Sequence, residues 1–483
     1  MNFSTIVASS PKKSRVWTVR SSSAFLLFGI ILAIVSATLL VSGQWQLAFG
    51  IVFILPAAVL FIKYPFIPIL VWLLLDPFLF SVTTSSGRMV YWMVHRALPP
   101  LAVGILGITY LLRIRKFPKL GLADLAMLGY IGVSLFSIAL LNDTPLPTAF
   151  IFYDRIFSPM CIYFVVRLSA PDEKDMNLLV PVVLFLGVFQ ALIGILSWIA
   201  PQSLPEIWLR LEGERTTGTL VGYSVYSTTM IFVSLFLLHA AFSRKPGIIR
   251  AILFCVFFLS VFCVFISYSR ASWLAGIIVL LGVFYLHPKF VLGSTLVLIP
   301  ITIVFISVIF AGYFYDPSER LFESRPALSR LPTELAAYRM FEMKPFLGWG
   351  YGNFDYYDRP FQSRVGDLVD ARRDTGLHNL YLLISAEQGI VGLILFLSPA
   401  VLWLFETIRM RHSLPASGFW NRNLLFLLWL VIIDHFIENN FSVMWIGFGY
   451  GMWWLTLGLI ANMIPKNTAN ARSGWEYPAN NLK

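Results

Sequence analysis

Apolar runs of about 20 residues, separated by short polar connections, follow one another along almost the whole chain. The hydrocarbon core of a bilayer is about 30 Å thick, so a helix needs about 20 mostly apolar residues to cross it. With no water there to satisfy backbone groups, a helix bundle is what such runs form. The pattern predicts fourteen spans, over 24–42, 46–62, 65–82, 97–113, 121–141, 148–168, 178–200, 223–242, 250–268, 271–287, 290–313, 379–408, 421–440 and 441–462. One long polar interval breaks the rhythm, from Asp316 to Leu377, and it leads directly into His378 and Asn379 at the mouth of the next run. The expected organisation is a tail over 1–23, a transmembrane bundle over 24–313, a large loop over 314–377, further transmembrane helices over 378–462 and a second tail over 463–483.

Composition agrees: 58% of the 483 residues are hydrophobic and 13% charged, against roughly 45–50% and 25% for a soluble domain. The fold class expected is an all-α polytopic membrane protein of about 12–14 transmembrane helices with one large extracytoplasmic loop. Short cytoplasmic loops collect Lys and Arg. Threading fourteen spans puts the N-terminal Lys12, Lys13, Arg15 and Arg20 on one side with Arg113 to Lys119, Arg244 to Arg250, Arg409 to Arg422 and the C-terminal Lys466 to Lys483. Both termini are then cytoplasmic and the large loop is extracytoplasmic. Much of the net charge of +11 sits in those short loops, so orientation accounts for it and no nucleic-acid partner is expected. The first run is too long, and lacks a small-residue cleavage site, for a removable signal peptide. Cys161, Cys255 and Cys263 all fall inside runs, which suggests neither a disulfide framework nor a thiolate metal site.

The outward polar residues come from separated segments: Arg215 in the loop Trp208 to Thr219, Arg270 where two spans meet at Ser267-Tyr268-Ser269-Arg270, the arginines of the large loop, and His378. A site between helices is assembled from several element ends in this way. The planar fork of arginine makes bidentate, charge-assisted bonds to phosphate, so a membrane-held pyrophosphate is the natural target. The alternative is that Arg270 snorkels to the headgroups and Arg215 is a solvated loop charge. His378 is either a general base or a helix-end residue, and Asn379 either orients it or caps the helix. Asp76, Asp154, Arg155, Glu387, Asp434, His435 and Glu438 lie inside runs, where ionisable groups are paired or functional. Asp154 and Arg155, adjacent in sequence, do not face each other, and each is expected to pair structurally with another span. Pro332 to Lys344 reads as a short helix, with Leu331, Leu335, Tyr338 and Phe341 at helical spacing. That stripe would lie on the membrane surface or close the site. Gly348, Gly350 and Gly352 would follow as a tight turn or let backbone approach a sugar closely. The chain has no His-x-x-x-His, no Cys-x-x-Cys and no nucleotide-type phosphate loop, so neither metal, cofactor nor ATP hydrolysis is expected.

Several of these elements recur together in a known family. Ser269-Arg270-Ala271-Ser272-Trp273, then Ser329-Arg330, then Pro345-Phe346-Leu347-Gly348-Trp349-Gly350-Tyr351-Gly352-Asn353-Phe354, then His378-Asn379-Leu380-Tyr381-Leu382 with Glu387-Gln388-Gly389, resemble the O-antigen ligase and polymerase family over about residues 205–460. The resemblance implies a multi-span glycosyltransferase-like architecture and a metal-independent, inverting glycan transfer on the outer face of a bacterial inner membrane. The donor would be a glycan on undecaprenyl pyrophosphate; the acceptor would be a lipid A core or a second lipid-linked glycan. By the same resemblance Arg215 and Arg270 hold the pyrophosphate, His378 takes the proton of the attacking hydroxyl, and Arg330 lines the site. Tyr268, Asn353 and Asn379, inside or beside the quoted motifs, are further substrate-binding or loop-lining candidates. A transporter or flippase of the same lipid-linked glycan would also want outward arginines, but such proteins show topology repeats and midplane breaks, and here the polar residues crowd one face without an evident repeat.

Overall fold

In the computed structural model, residues 30, 33–44, 48, 56–79, 82, 84–115, 118–208, 215–220, 222–295, 328–362, 376–443 and 447–463 are described. The chain divides into two units, 1–64 and 65–483. The first contains helix over 33–41 and over Pro56–Lys63. The second is helical, with no strand among the described residues. Its helices are α1 (Ile67–Leu79), α2 (Ser85–Leu111), α3 (Leu122–Leu141), α4 (Pro145–Ser169), α5 (Glu173–Ile199), α6 (Tyr223–Phe242), α7 (Ile248–Phe265), α8 (Arg270–Leu286), α9 (Leu331–Met343), α10 (Leu380–Met410), α11 (Arg422–Phe441) and α12 (Gly447–Met463).

Eight of these, α2 to α7 with α10 and α11, are long and apolar enough to cross a membrane, which makes the chain an all-α polytopic membrane protein. Most expected spans recur within a few residues. The span expected at 97–113 instead starts at Ser85, and the His95 and Arg96 it takes in are paired with carboxylates inside the bundle. His95 Nδ1 lies 3.1 Å from Asp76 Oδ1, and Arg96 holds Asp154 through Nε at 2.5 Å and Nη2 at 3.0 Å. Asp154 thus finds its partner on another helix. Both chain segments here are π-helical, Trp92–Ala97 and Tyr153–Phe157. Two carbonyls of the first π segment are satisfied by side chains: the Tyr153 hydroxyl donates to Arg96 O and Ser158 Oγ to His95 O, each at 2.6 Å. The expected span 290–313, the tails and parts of the first two spans lie largely outside the described residues.

A helix apolar on all sides is a buried one. Such helices are α6, with 18 of 20 residues buried, and α12, with 16 of 17; α7 and α11 flank α6, and α4 packs along α12. Side-chain caps start several helices: Asp172 accepts from Lys174 N and Asp175 N, Asn379 from Tyr381 N and Leu382 N, and Asn421 from Asn423 N and Leu424 N. The antiparallel connections sort the ends. Tyr223, Arg270, Arg330 and Phe441 meet at one, whereas Glu173, Arg244, His287 and Asn421 meet at the other around a second cavity of about 520 Å³.

Candidate functional site

At the first of those ends is a cavity of about 460 Å³ between the starts of α6 and α8, the start of α9 and the end of α11. Arg270, Arg330, Glu334, Ser269 and Ser224 supply its polar lining, and Tyr223, Ala271, Leu274, Leu331 and Phe441 its apolar wall. Each cation is held by its element. Arg270 is the first residue of α8, and Ser269 caps that helix by accepting from Ser272 N at 3.3 Å. Arg330 donates from Nη1 to Phe441 O at 2.9 Å, tying the start of the loop helix to the end of α11. The Arg215 guanidinium lies 4.3 Å from the ring centroid of Tyr223, itself in the cavity wall.

His378 stands two residues before α10, half-buried. Burial first, then the positive charges of Arg330 and Arg215, push its pKa down to about 4. Its imidazole is therefore neutral at physiological pH and within the field of both arginines. Arg215, Arg270, Arg330 and His378, which come from four separated stretches, are thus brought to one end of the bundle. Asn379 is the cap of α10, its Oδ1 accepting two backbone N–H bonds at 3.0 Å. Tyr268 is placed elsewhere: it is buried with Trp198 and Ile266 and takes a positive φ of 50° at the bend between α7 and α8. Asn353 also faces inward, donating to Leu141 O at 2.8 Å and Trp349 O at 3.0 Å and accepting from Asn142 Nδ2 at 2.8 Å.

One cavity-lining residue was missed in the sequence: Glu334, a carboxyl whose pKa burial raises while Arg330 opposes the rise; the available signal was its spacing of four from Arg330. Glu438, singled out in the sequence as an ionisable group inside an apolar run, is buried and accepts from Ser272 Oγ, which lies 2.5 Å from Ser227 Oγ. Among the described residues no group of three or more His, Cys, Asp or Glu side chains is placed to hold a metal ion.

The glycine-rich turn has a specific partner. Helix α10 breaks at Gly389 (φ 64°, ψ −165°), and the turn docks into the break. Trp349 N and Gly350 N donate to Ala386 O and Glu387 O at 3.0 and 2.8 Å, while Ile390 N and Val391 N donate back to Pro345 O and Phe346 O at 2.7 and 3.3 Å. Only glycine permits this approach. A Cβ on Gly348 (φ 67°) would come within 2.4 Å of the Glu387 carbonyl carbon, and one on Gly389 within 2.3 Å of Phe346 C and O. The turn thus joins backbone to backbone within the protein. Helix α9 forms close to where its pattern predicts, but the face it buries is Ala336, Ala337 and Met340, packed with Phe354, Leu377 and Ala386. Leu335 and Tyr338, from the expected stripe, are exposed.

A multi-pass helical membrane protein with a cationic cavity at one end of its helices is the class that the fold and site define. Residues 255–397 match the family model described as O-antigen ligase, which supports an assignment of the chain to the O-antigen ligase and polymerase family. The match covers the latter part of α7, then α8, α9 and the first half of α10, and so contains Arg270, Arg330 and His378 while Arg215 precedes it. It supports an enzyme of glycan transfer in polysaccharide assembly, using lipid-linked glycans in a bacterial membrane. No curated protein matches the chain.

Proposed function

We propose that the chain transfers a glycan from undecaprenyl pyrophosphate to a sugar hydroxyl on the outer face of the bacterial inner membrane, with both termini cytoplasmic. The acceptor is carried on a lipid A core, for a ligase, or on a second lipid-linked glycan, for a polymerase. Arg215 and Arg270 hold the pyrophosphate and Arg330 lines the site beside them. The acceptor oxygen bonds to the anomeric carbon as the carbon–oxygen bond to the pyrophosphate breaks, which inverts the configuration. His378 takes the acceptor proton. Negative charge grows on the leaving pyrophosphate, so arginines aimed at it stabilise the transition state more than the ground state, and no metal is required. The bound pyrophosphate also offsets the arginine field on His378, which strengthens the base once the donor is in place.

The observation that carries this reading is the gathering of Arg270 and Arg330 in one cavity, with Arg215 stacked against Tyr223 of its wall and His378 within the field of Arg215 and Arg330. Its test is transfer by purified protein supplied with lipid-linked donor in excess chelator. Wild type is expected to turn over, Arg215→Lys and Arg270→Lys to lose most activity because an ammonium lacks the bidentate fork, and His378→Ala to fall by about 10²- to 10⁴-fold while still binding donor. Activity that requires added Mg²⁺ or Mn²⁺, or near wild-type transfer by His378→Asn, would overturn the mechanism.

A further inference from the structure

The docked turn has a depth, and the depth says what surrounds it. Helix α3 has 20 residues, Leu122–Leu141, about the length needed to cross the hydrocarbon core. Its register with α10 is fixed at two heights: Ser134 Oγ donates to Gln388 Oε1 at 3.0 Å, and Gly129 faces the Leu395 side chain. Ser134 lies seven residues inside the cavity-side end of α3, roughly 10 Å at 1.5 Å per residue. Gln388 is therefore at that depth, and the Pro345–Gly350 backbone, bonded to residues 386–391 of α10, is beside it. The side chains at the tip of the turn do not face the protein. Phe346 is 71% exposed, Met343 65% and Leu347 44%.

From this we infer that Met343, Phe346 and Leu347 form an apolar wedge that dips into the acyl chains of the membrane leaflet on the cavity side, so that the glycine-rich segment is re-entrant rather than a surface loop. The occupant is hydrocarbon because the described residues leave these side chains exposed at that depth, beside a helix of single-span length, and an exposed backbone turn there is tolerable only where its polar groups are bonded within the protein. The four backbone bonds to the break at Gly389, with Gly348 N donating to Lys344 O at 3.1 Å, satisfy five donors and acceptors of the turn backbone in this way, Pro345 O, Phe346 O, Gly348 N, Trp349 N and Gly350 N. The neighbouring charges are arranged accordingly. Lys344 Nζ sits 3.9 Å from the Trp349 ring centroid, covering an aromatic face. Glu342 takes the hydroxyl of Tyr338, one turn nearer the cavity end of α9, so its carboxylate is drawn towards the membrane surface. The wedge holds whichever glycan reaction the cavity performs.

The test is fluorescence quenching in proteoliposomes. In a Cys255→Ser background, which leaves only the buried Cys161 and Cys263, Phe346→Cys is labelled with bimane and compared with Asp355→Cys on the exposed outer part of the loop. Nitroxide placed high on lipid acyl chains is expected to lower emission at position 346 by about twofold or more, because the tip lies within the hydrocarbon zone, while aqueous iodide leaves it largely unchanged. Position 355 is expected to show the opposite. Leu347→Cys and Met343→Cys repeat the measurement should the Phe346 variant fold poorly. Iodide quenching at the tip equal to that at position 355 would make the turn a water-exposed loop. Protection from both quenchers would mean that protein covers it, and either result overturns the wedge.

Discussion

The depressed pKa of His378 makes an unusual pH dependence the most discriminating property of the site. With its pKa pushed down to about 4 by burial, Arg330 and Arg215, the imidazole is about 90% neutral at pH 5, whereas an unperturbed histidine at about 6.5 is about 3% neutral there. The ratio is roughly 30-fold in the fraction of competent base. Since kcat/KM reports the free enzyme, its acid limb is expected near pH 4, with little loss between pH 7 and pH 5. The limb in kcat, which reports the donor complex, is expected at higher pH, because the pyrophosphate cancels part of the arginine field. Arg330→Gln removes one of the two charges that depress the group, so its kcat/KM limb should move upward even if its plateau also falls. Stability follows the same sign: between pH 6.5 and about 4 the unfolded histidine binds a proton that the folded one refuses, so this contribution is present above 6.5 and is lost as pH falls through that window. The assay is initial-rate transfer from lipid-linked donor across pH in constant ionic strength. A kcat/KM limb near 6.5, or one that Arg330→Gln leaves in place, would refute the placement of His378 beside the arginines.

Two further outcomes test the frame around the site. Gly389→Ala and Gly348→Ala each force a Cβ into backbone at 2.3–2.4 Å at a positive φ, and should destabilise by about 2–5 kcal/mol from the conformational penalty and overpacking together; Gly132→Ala, with open space at its Cβ, is the control. Unfolding temperatures in detergent within a degree of wild type for both would contradict the interlock. A cysteine at Asp355 should react with an impermeant thiol reagent in intact cells whose outer membrane has been made permeable, and labelling only after lysis of the inner membrane would reverse the proposed orientation.

The spans and the loop helix were legible because both rest on local pattern: apolar length for the first, Pro332 and helical spacing for the second. What local pattern could not supply was the partner. Ala336 and Ala337 look unremarkable in sequence, yet their small size lets α9 lie against α10, and the larger Leu335 and Tyr338 turn outward. Gly348 read as a turn residue, but only the fold shows that it faces Gly389, about 40 residues along, in a backbone-to-backbone contact with no side-chain signature. Arg96 and Asp154 illustrate the same limit in energetic terms. Charge within an apolar run can end a helix or be paired across the bundle, and the choice depends on a residue 58 positions away. The arginines and His378 were legible as candidates because each stands at the end of an apolar run, and the fold brings them to one end of the bundle. Tyr268 and Glu334 were not separable that way, since whether a residue beside a motif faces the cavity or the core is settled by the bend and helix that carry it.

The bond from Arg330 to Phe441 O spans 111 residues, and this has a consequence for how the protein is made. Chains grow from the N-terminus at about 5–20 residues per second, so Arg215, Arg270 and the loop helix are all synthesised before the helix end that anchors Arg330. During that interval the cavity lacks the end of α11, and with it Phe441 of its wall. A nascent chain in the membrane therefore already carries every arginine of the site without the assembled pocket. On the proposed mechanism competence arrives with α11, so a transferase built in this order does not act on passing lipid-linked sugars while it is still leaving the ribosome.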